Sequence, residues 1–260
     1  MLQRVKKLLA AVVVSGMCTG AGAAPILWIG DSDGTLGTVD VATGAVTVVG
    51  QMGQVMTDIA FDPSGNLWGV TFGQLFRINS STAAITLVGN LGASLNSLVF
   101  GADGTLYGAN NRLFSINTST GAATSIGLGT YSSSGDLAFI GGSLYLSSTV
   151  PIGDSLYLVN AFTGAGTNIG PIGFSSVFGM ATDNNVDLYG LSSNRVLRIS
   201  TATGAGTQIQ TYTLGQLGQA YGTAFRTESG GGGGTVPEPG TLALLGLGLT
   251  GLALLRRRRP

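Results

Sequence analysis

A repeat of about 40 residues constrains this chain more than any other feature of its sequence. A β-branched residue followed by a polar residue recurs at intervals of 39, 38, 43 and 40 residues, at Val39, Ile78, Ile116, Val159 and Ile199. Four residues past each of them stands a threonine followed by glycine or alanine. Such a pair is a turn signal between two strand patterns, so each unit is predicted to contain a β-hairpin.

Two further series of positions complete the unit. One places an aromatic residue directly after a leucine in a predicted second strand, at Trp28, Trp68, Tyr107, Tyr145 and Tyr189. The other predicts a short innermost strand with equivalent residues Asp58, Ser97, Asp136, Gly179 and Gly222. Four short strands in a unit of about 40 residues are typical of a propeller blade. The sequence therefore predicts an all-β fold, a five-bladed β-propeller over residues 24–226, with six blades as the runner-up if the 43-residue interval contains merged units.

The register of the repeat also predicts how the ring closes. The body begins with a second strand, residues 26–29, and ends with a lone innermost strand, residues 220–225. An open array would leave both segments with unpaired edges, which folded proteins avoid. We therefore expect the last strand to pair with the first one and to complete the first blade.

Residues 1–23 have the order of parts of a secretory signal peptide. Basic residues precede an apolar run over residues 8–14, and small residues follow up to Ala23, after which we predict cleavage. A membrane anchor is the alternative, but a bilayer span needs roughly 20 apolar residues. Cys18 is the only cysteine, so the mature chain is predicted to contain none.

The other end of the chain is predicted to be a Gly-rich linker, residues 227–235, followed by a short transmembrane helix within residues 236–260. The apolar run over residues 241–255 is short for a bilayer span by itself. Its length reaches the lower part of the bilayer-spanning range when the segment is counted from Val236 and the terminal arginine side chains extend to the far membrane interface. Basic flanks stay cytoplasmic, so the propeller would lie outside. That cytoplasmic anchor consists of Arg256, Arg257, Arg258 and Arg259.

This tail resembles the PEP-CTERM sorting signal of Gram-negative bacteria that make extracellular polysaccharide. The resemblance rests on Val236-Pro237-Glu238-Pro239, the Leu/Gly-rich run and the terminal arginines, in that order and directly after a linker. It implies that an exosortase recognises the tail while the chain is transiently anchored in the inner membrane. The enzyme would cut near the Pro-Glu-Pro motif and pass the body to the cell surface or extracellular matrix. A plain tail anchor would give a similar topology without cleavage.

The residue inventory excludes several kinds of chemistry. The chain has no histidine. Seven of its twelve basic residues lie at the two ends, so the body contains five arginines and no lysine. Nucleic-acid binding depends on phosphate neutralisation by such residues, so no nucleic acid is expected as a partner. Imidazole bases and His-ligated or Cys-ligated metals are also excluded.

Two kinds of candidate ligand-binding residue remain. Asp58 and Asp136 belong to innermost strands, close to the channel where propellers gather ligands. No cofactor or metal is predicted, with Ca²⁺ on acidic oxygens as the alternative, for which the further ligands would be Asp31, Asp33, Asp183 and Asp187. The aromatic series (Trp28, Trp68, Tyr107, Tyr145 and Tyr189) is expected to pack between blades, with sugar stacking as the alternative.

The predicted function is a non-enzymatic surface or biofilm-matrix protein whose propeller binds exopolysaccharide, another glycan or protein partners. One alternative is a secreted enzyme acting on sugars, a lactonase or polysaccharide lyase, in which proton transfer would need carboxylates, tyrosine or arginine. The only two glutamates, Glu228 and Glu238, lie in the predicted linker and tail, which weakens that case. The other alternative is a structural spacer without a specific ligand, and the fold alone does not decide between them.

Overall fold

The structure, a computed structural model, describes residues 24–151 and 153–228. Twenty strands in that part form five antiparallel four-stranded sheets. The predicted signal peptide, the transmembrane helix and most of the predicted linker lie outside the described residues. Within the described part, no helix is long and apolar enough to span a bilayer.

Each sheet is one blade, and its strands are given from the central axis outwards. Blade 1 contains β20 (Ala220–Ala224), β1 (Ile26–Asp31), β2 (Thr35–Asp40) and β3 (Val46–Gln51). Blade 2 contains β4 (Asp58–Phe61), β5 (Leu67–Val70), β6 (Gln74–Ile78) and β7 (Ile85–Asn90). Blade 3 contains β8 (Ser97–Phe100), β9 (Leu106–Ala109), β10 (Arg112–Ile116) and β11 (Ala123–Leu128). Blade 4 contains β12 (Ser133–Ile140), β13 (Ser143–Ser148), β14 (Ser155–Val159) and β15 (Gly166–Pro171). Blade 5 contains β16 (Val177–Ala181), β17 (Leu188–Ser192), β18 (Arg195–Ile199) and β19 (Gly206–Thr211).

The prediction of five blades is therefore confirmed, and the six-bladed runner-up is wrong. The 43-residue interval does not contain a merged unit. It contains a connection between β13 and β14 that is longer than the corresponding connections of the other blades.

The predicted closure of the ring is present in the first blade. Strand β20 pairs with β1 in antiparallel register, with Trp28 opposite Ala224 and Ile29 opposite Thr223. The two ends of the described chain therefore share one sheet, and no innermost strand is left without a partner.

The outer hairpins owe their tight turns to one polar side chain and one left-handed residue in each blade. In blade 1, Asp40 Oδ1 accepts the amides of Ala42 and Thr43, and Gly44 follows with a φ of 73°. Ala83 occupies the glycine position in blade 2 with a φ of 62°, a conformation that favours glycine. The Thr-Gly signal of the repeat therefore marks these turns.

The hydrophobic core lies between neighbouring blades, as five clusters that each combine residues of two adjacent sheets. We call the face where the innermost strands begin the upper face, and the face where they end the lower face. The upper face carries the connections into the innermost strands, and the lower face carries the turns of the outer hairpins. The described chain ends at Glu228 on the lower face, directly after β20.

Candidate functional site

The central channel is narrow because the innermost strands approach one another to backbone contact. A Cβ atom at Gly222 would lie 2.5 Å from the Cα atom of Asp58, and one at Gly135 would lie 2.6 Å from the carbonyl oxygen of Phe178. Real Cβ atoms do not come that close to backbone atoms, so β12 and β20 need glycine at these positions. Little space is therefore left on the axis for a ligand.

The two aspartates that the sequence placed near the channel are fully buried there. Asp58 Oδ1 accepts a hydrogen bond from the amide of the adjacent Ile59 at 2.8 Å. Asp58 Oδ2 accepts one from the amide of Leu98 in the next blade at 2.6 Å. The carboxyl group therefore provides acceptors for amides on the inner edges of both β4 and β8, and these edges have no neighbouring strand on the channel side.

Asp136 repeats this arrangement on the opposite side of the channel. Its Oδ1 accepts the amide of Leu137 at 2.6 Å, and its Oδ2 accepts the amide of Met180 in the next blade. The hydroxyl of Thr223 on β20 donates to the same Oδ2 at 3.3 Å. One carboxyl group thus connects three innermost strands.

A third carboxyl group, that of Glu228, was missed by sequence reasoning as a part of the channel. Its Oε1 accepts the amide of Phe61 and its Oε2 the amide of Phe225, both at 3.0 Å. Thr227 also donates from its hydroxyl to the carbonyl of Asp183, at 2.6 Å. The first two residues of the predicted linker are therefore hydrogen-bonded to the propeller. Because a run of glycines follows them, the sequence analysis assigned both residues to the linker.

Burial governs the protonation of these three groups. It raises the pKa of Asp58 well above the usual value, and the charge and hydrogen bond of Asp136 raise it further. Burial also raises the pKa of Asp136, although its hydrogen bonds, that from Asp58 first among them, oppose the shift. Burial likewise raises the pKa of Glu228. Burial therefore favours the protonated forms of both aspartates, and the two carboxyl groups titrate as an interacting pair.

The aromatic series lies in the packing between blades. Four of its members contact a phenylalanine at the end of the next blade's innermost strand, with ring centroids 5.2–5.8 Å apart: Trp28 on Phe61, Trp68 on Phe100, Tyr107 on Phe139 and Tyr189 on Phe225. The fifth, Tyr145, has Thr182 at the equivalent position and packs instead against the cluster between blades 4 and 5. The repeat of the aromatic position follows from this repeated contact.

Two of the four further acidic residues considered as Ca²⁺ ligands, Asp31 and Asp187, are engaged in local structure. Buried Asp31 accepts the amides of Asp33, Thr35 and Gly218, at 2.7–2.9 Å. Asp187 forms an ion pair with Arg198 at 3.2 Å. Across residues 24–151 and 153–228, no three acidic, histidine or cysteine side chains are grouped so that they could hold a metal ion.

A pocket of about 430 Å³ lies at the upper mouth of the channel. Its aromatic wall contains Phe72, which is 61% exposed, and the rings of Phe178 and Tyr221, which meet edge to face at 5.6 Å. Its other lining residues are Val55, Thr57, Thr71, Asn96, Ser134 and Gly135. We call this pocket the upper pocket.

Polar groups around the upper pocket are held in place by further hydrogen bonds. Asn96 donates from Nδ2 to the carbonyl of Ser133 at 3.0 Å, and Ser134 donates to Asp154 at 2.8 Å. Sequence reasoning missed this pocket because its members come from different blades. Phe72 was the one available signal, as an aromatic residue in a short turn between two strands.

Comparison with solved structures finds similar chains. The chain is similar to a chain of a nidogen/laminin complex, with 11% identity, a TM-score of 0.54, and coverage of 77% of this chain and 98% of that one. It is also similar to a gluconolactonase from Xanthomonas campestris, with 15% identity, a TM-score of 0.49, and coverage of 77% and 80%. The similarity to the nidogen/laminin chain shows a common fold and nothing about activity. Among curated proteins, no sequence matches the chain.

The tail allows a more specific assignment. Residues 235–259 match the PEP-CTERM protein-sorting motif, so this chain carries a PEP-CTERM sorting signal behind a five-bladed propeller. The resemblance found in the sequence is confirmed. The motif implies export, a transient membrane anchor and processing by an exosortase.

Proposed function

We propose that this protein is a non-enzymatic component of the cell surface or extracellular matrix whose propeller binds a sugar residue of a polysaccharide in the upper pocket. The observation that carries the proposal is the group of aromatic rings around this pocket, exposed Phe72 and half-buried Phe178 and Tyr221. The sorting tail supports the location, since export by this route leads out of the cell.

The lining of the upper pocket suits a sugar ring. The C–H face of a pyranose is apolar and packs on aromatic rings, while its hydroxyl groups need hydrogen-bond partners. Thr71, Asn96 and Ser134 provide such partners beside the aromatic wall. A mostly apolar pocket with a few fixed polar groups is the usual form of a small-ligand site.

The same pocket offers little for catalysis. General acid–base chemistry needs a titratable group within hydrogen-bond reach of the substrate. Tyr221 is the only titratable residue among those that line the upper pocket. The carboxyl groups of Asp58 and Asp136 lie buried below and already accept backbone amides. Binding without turnover is therefore the function that this geometry favours.

The direction in which the chain leaves the propeller also supports binding to external polymer. Glu228 holds the end of the described chain on the lower face, opposite the upper pocket. A propeller attached through its lower face presents the upper pocket away from its attachment point. A surface polymer could therefore reach the pocket both before and after the tail is cut.

The test uses the exported protein purified from producing cells and the polysaccharide of the same cells, with binding measured by calorimetry. We expect Phe72→Ala to weaken binding about tenfold or more, which is about 1.4 kcal/mol. Phe162→Ala is the matched control, because Phe162 is 92% exposed and lies in an outer hairpin turn of the lower face, and it should leave affinity unchanged.

Four results would contradict the proposal. The first is a wild-type protein that binds no polysaccharide, and the second is a Phe72→Ala variant that binds as the wild type does. A captured protein that occupies the upper pocket in place of sugar would overturn the ligand class. Shortened or ring-opened saccharide products in the calorimeter cell would show an enzyme instead of a binding module.

A further inference from the structure

Two arginines of the lower face are stacked on buried aromatic rings. The guanidinium carbon of Arg77 lies 4.4 Å from the centroid of the Trp68 ring. The guanidinium carbon of Arg226 lies 4.8 Å from the centroid of Phe61. A ring beneath the guanidinium plane fixes its orientation and leaves the N–H groups at its edge free to bind an anion.

A cleft of about 500 Å³ lies beside these arginines, between the β4–β5 turn and the outer hairpin turn of blade 2. Arg77 lines the cleft directly. Arg226 reaches its rim, with Nη1 3.5 Å from the carbonyl oxygen of Gly65 and Nη2 3.5 Å from the hydroxyl of Ser80. We call this site the two-arginine cleft.

The lining of the two-arginine cleft is polar and contains no carboxylate. Besides Arg77, its polar side chains are Asn66, Asn79, Ser80, Ser81 and Thr86. On the other side of Arg77 lies a second cleft, of about 450 Å³, and there the lining includes Asp62 and Asp103. An anion would be repelled from that second cleft, whereas no carboxylate lines the two-arginine cleft. Asp62 lies behind this lining and accepts hydrogen bonds from Asn66 and Trp68.

A third stacked arginine shows what is different about this pair. Arg198 lies over the ring of Tyr189, at 5.6 Å, but its charge is balanced by Asp187 at 3.2 Å. Neither Arg77 nor Arg226 forms an ion pair within the part of the chain that the structure describes. In a body with five arginines and no lysine, two uncompensated charges around one cleft are a concentrated feature.

We propose that the two-arginine cleft binds a carboxylate-bearing sugar, a uronate residue of an acidic polysaccharide. The planar guanidinium of Arg77 matches a carboxylate in a two-bond geometry, which a lysine would not provide. The sugar's hydroxyl groups would meet the side chains of Asn79 and Ser81 at the cleft wall. This site lies on the face opposite the upper pocket and does not depend on sugar binding there.

The experiment uses the exported protein and a trimer of galacturonic acid as the probe, with its fully methyl-esterified form as the neutral comparison. We expect the acid trimer to bind, and the ester to bind at least tenfold more weakly. Arg77→Gln and Arg226→Gln should each weaken acid binding by tenfold or more, and Arg77→Lys should recover only part of the loss. Higher salt should also weaken binding, since exposed charges are screened.

Arg112→Gln is the matched control, because Arg112 is an exposed arginine at the start of β10 on the upper face. It removes the same charge and should leave acid binding unchanged. Since Arg226 also packs on the Trp28 ring, its variant is compared at temperatures well below its own thermal midpoint. Phe72→Ala should not alter acid binding, so failure of this proposal and failure of the upper pocket can be distinguished.

Several results would overturn the proposal. One is equal binding of the ester and the acid, and another is an Arg112→Gln variant that weakens binding as much as Arg77→Gln does. A purely structural effect would show as loss of trimer binding in proportion to loss of thermal stability. Binding to phosphatidylglycerol vesicles that depends on Arg77, without binding to the trimer, would assign the cleft to membrane lipid instead.

Discussion

The buried carboxyl groups of Asp58 and Asp136 interact electrostatically inside the channel, although blade 3 separates their two blades. Each aspartate also binds the amide of the next innermost strand, Leu98 for one and Met180 for the other. With Glu228 on the lower side, three carboxyl groups accept backbone amides from β4, β8, β12, β16 and the residue after β20. The channel is therefore a structural element of this propeller, held together by buried carboxyl groups that accept backbone amides from different blades.

The protonation of these groups predicts that the propeller is more stable in mild acid than in base. Burial raises the folded-state pKa of Asp58, Asp136 and Glu228, so the folded protein binds protons more tightly than the unfolded chain does. Their contribution to the free energy of unfolding is fully present below about pH 4 and is lost as the pH rises through the raised values. We therefore expect the thermal midpoint to fall between about pH 5 and pH 9, measured by circular dichroism at constant ionic strength.

Other acids do not reverse this slope. The pKa values of Asp40, Asp62 and Asp103 are lowered by hydrogen bonds, so their contribution is lost only as the pH falls below about 4. Asp58→Asn is the informative variant, because its side chain has a similar shape but does not titrate. It leaves one backbone amide without an acceptor and should lower stability by about 1–3 kcal/mol below about pH 4. The deficit should shrink as the pH rises, because the wild type loses the contribution of Asp58 and the variant does not. A slope equal to that of the wild type would contradict a raised pKa of Asp58 in the folded protein.

Glu228 predicts a stabilising role for the end of the body. Glu228→Ala removes the acceptor of two buried amides, those of Phe61 and Phe225, and each unsatisfied group costs about 1–3 kcal/mol. In a domain of this size, 1 kcal/mol corresponds to about 2–4 °C in thermal midpoint. We therefore expect the midpoint to fall by several degrees.

Gln54→Ala is the control for Glu228, because Gln54 is also a long polar side chain but is exposed. It should leave the free energy of unfolding within about 0.5 kcal/mol of the wild type, as most surface substitutions do. Chemical denaturation of both variants measures the same difference independently. If Glu228→Ala unfolds at the temperature of the control, the carboxyl group does not connect β4 to the end of β20.

The parts of this fold that repeat could be predicted from the sequence, and the parts that do not repeat could not. The Thr-Gly turns and the Leu-aromatic pairs recur in every blade, so the blade count and the pairing of β20 with β1 followed from spacing. The position of Asp58 and Asp136 near the channel could also be predicted, because the repeat assigns both residues to innermost strands. The electrostatic interaction between them could not be predicted, because it depends on how closely five strands approach the axis. Glu228 occurs once, beside a run of glycines, so composition assigned it to the linker.

The narrowness of the channel predicts that Gly222 cannot be replaced. A Cβ atom there would lie 2.5 Å from Asp58 Cα and 2.6 Å from the amide nitrogen of Ile59. Both are backbone atoms, which cannot move away by rotation as a flexible side chain can. Gly222→Ala should therefore push β20 away from β4 and lower the free energy of unfolding by about 1–3 kcal/mol or more.

Gly73→Ala is the matched control for this substitution, because a Cβ atom at Gly73 meets nothing within 4 Å and its φ is not left-handed. We expect this variant to unfold within about 0.5 kcal/mol of the wild type. Urea denaturation of the two variants compares them directly. Equal stability of Gly222→Ala and Gly73→Ala would mean that the innermost strands are further apart than described.

The sorting tail predicts a defined processing event. The two prolines around Glu238 disfavour helix in the residues before the apolar run, which leaves an extended stretch that a protease can bind. We expect exosortase cleavage beside Pro237-Glu238-Pro239, so the intact mass of the surface-extracted protein should correspond to a chain that ends near this motif. Glu238→Ala should leave membrane insertion unchanged and impair cutting, and the uncut form should accumulate in the inner membrane.

Two further variants separate recognition from anchoring. Thr241→Ala lies just beyond the motif and should be cut as the wild type is. Replacement of Arg256 to Arg259 by serine removes the charges that keep this end cytoplasmic, so it should weaken orientation and retention before cutting takes place. Intact mass and cell fractionation distinguish these defects, because an uncut chain and a misoriented chain differ in both. A wild-type surface form that still ends at Pro260 would make the tail a permanent anchor and would refute cleavage.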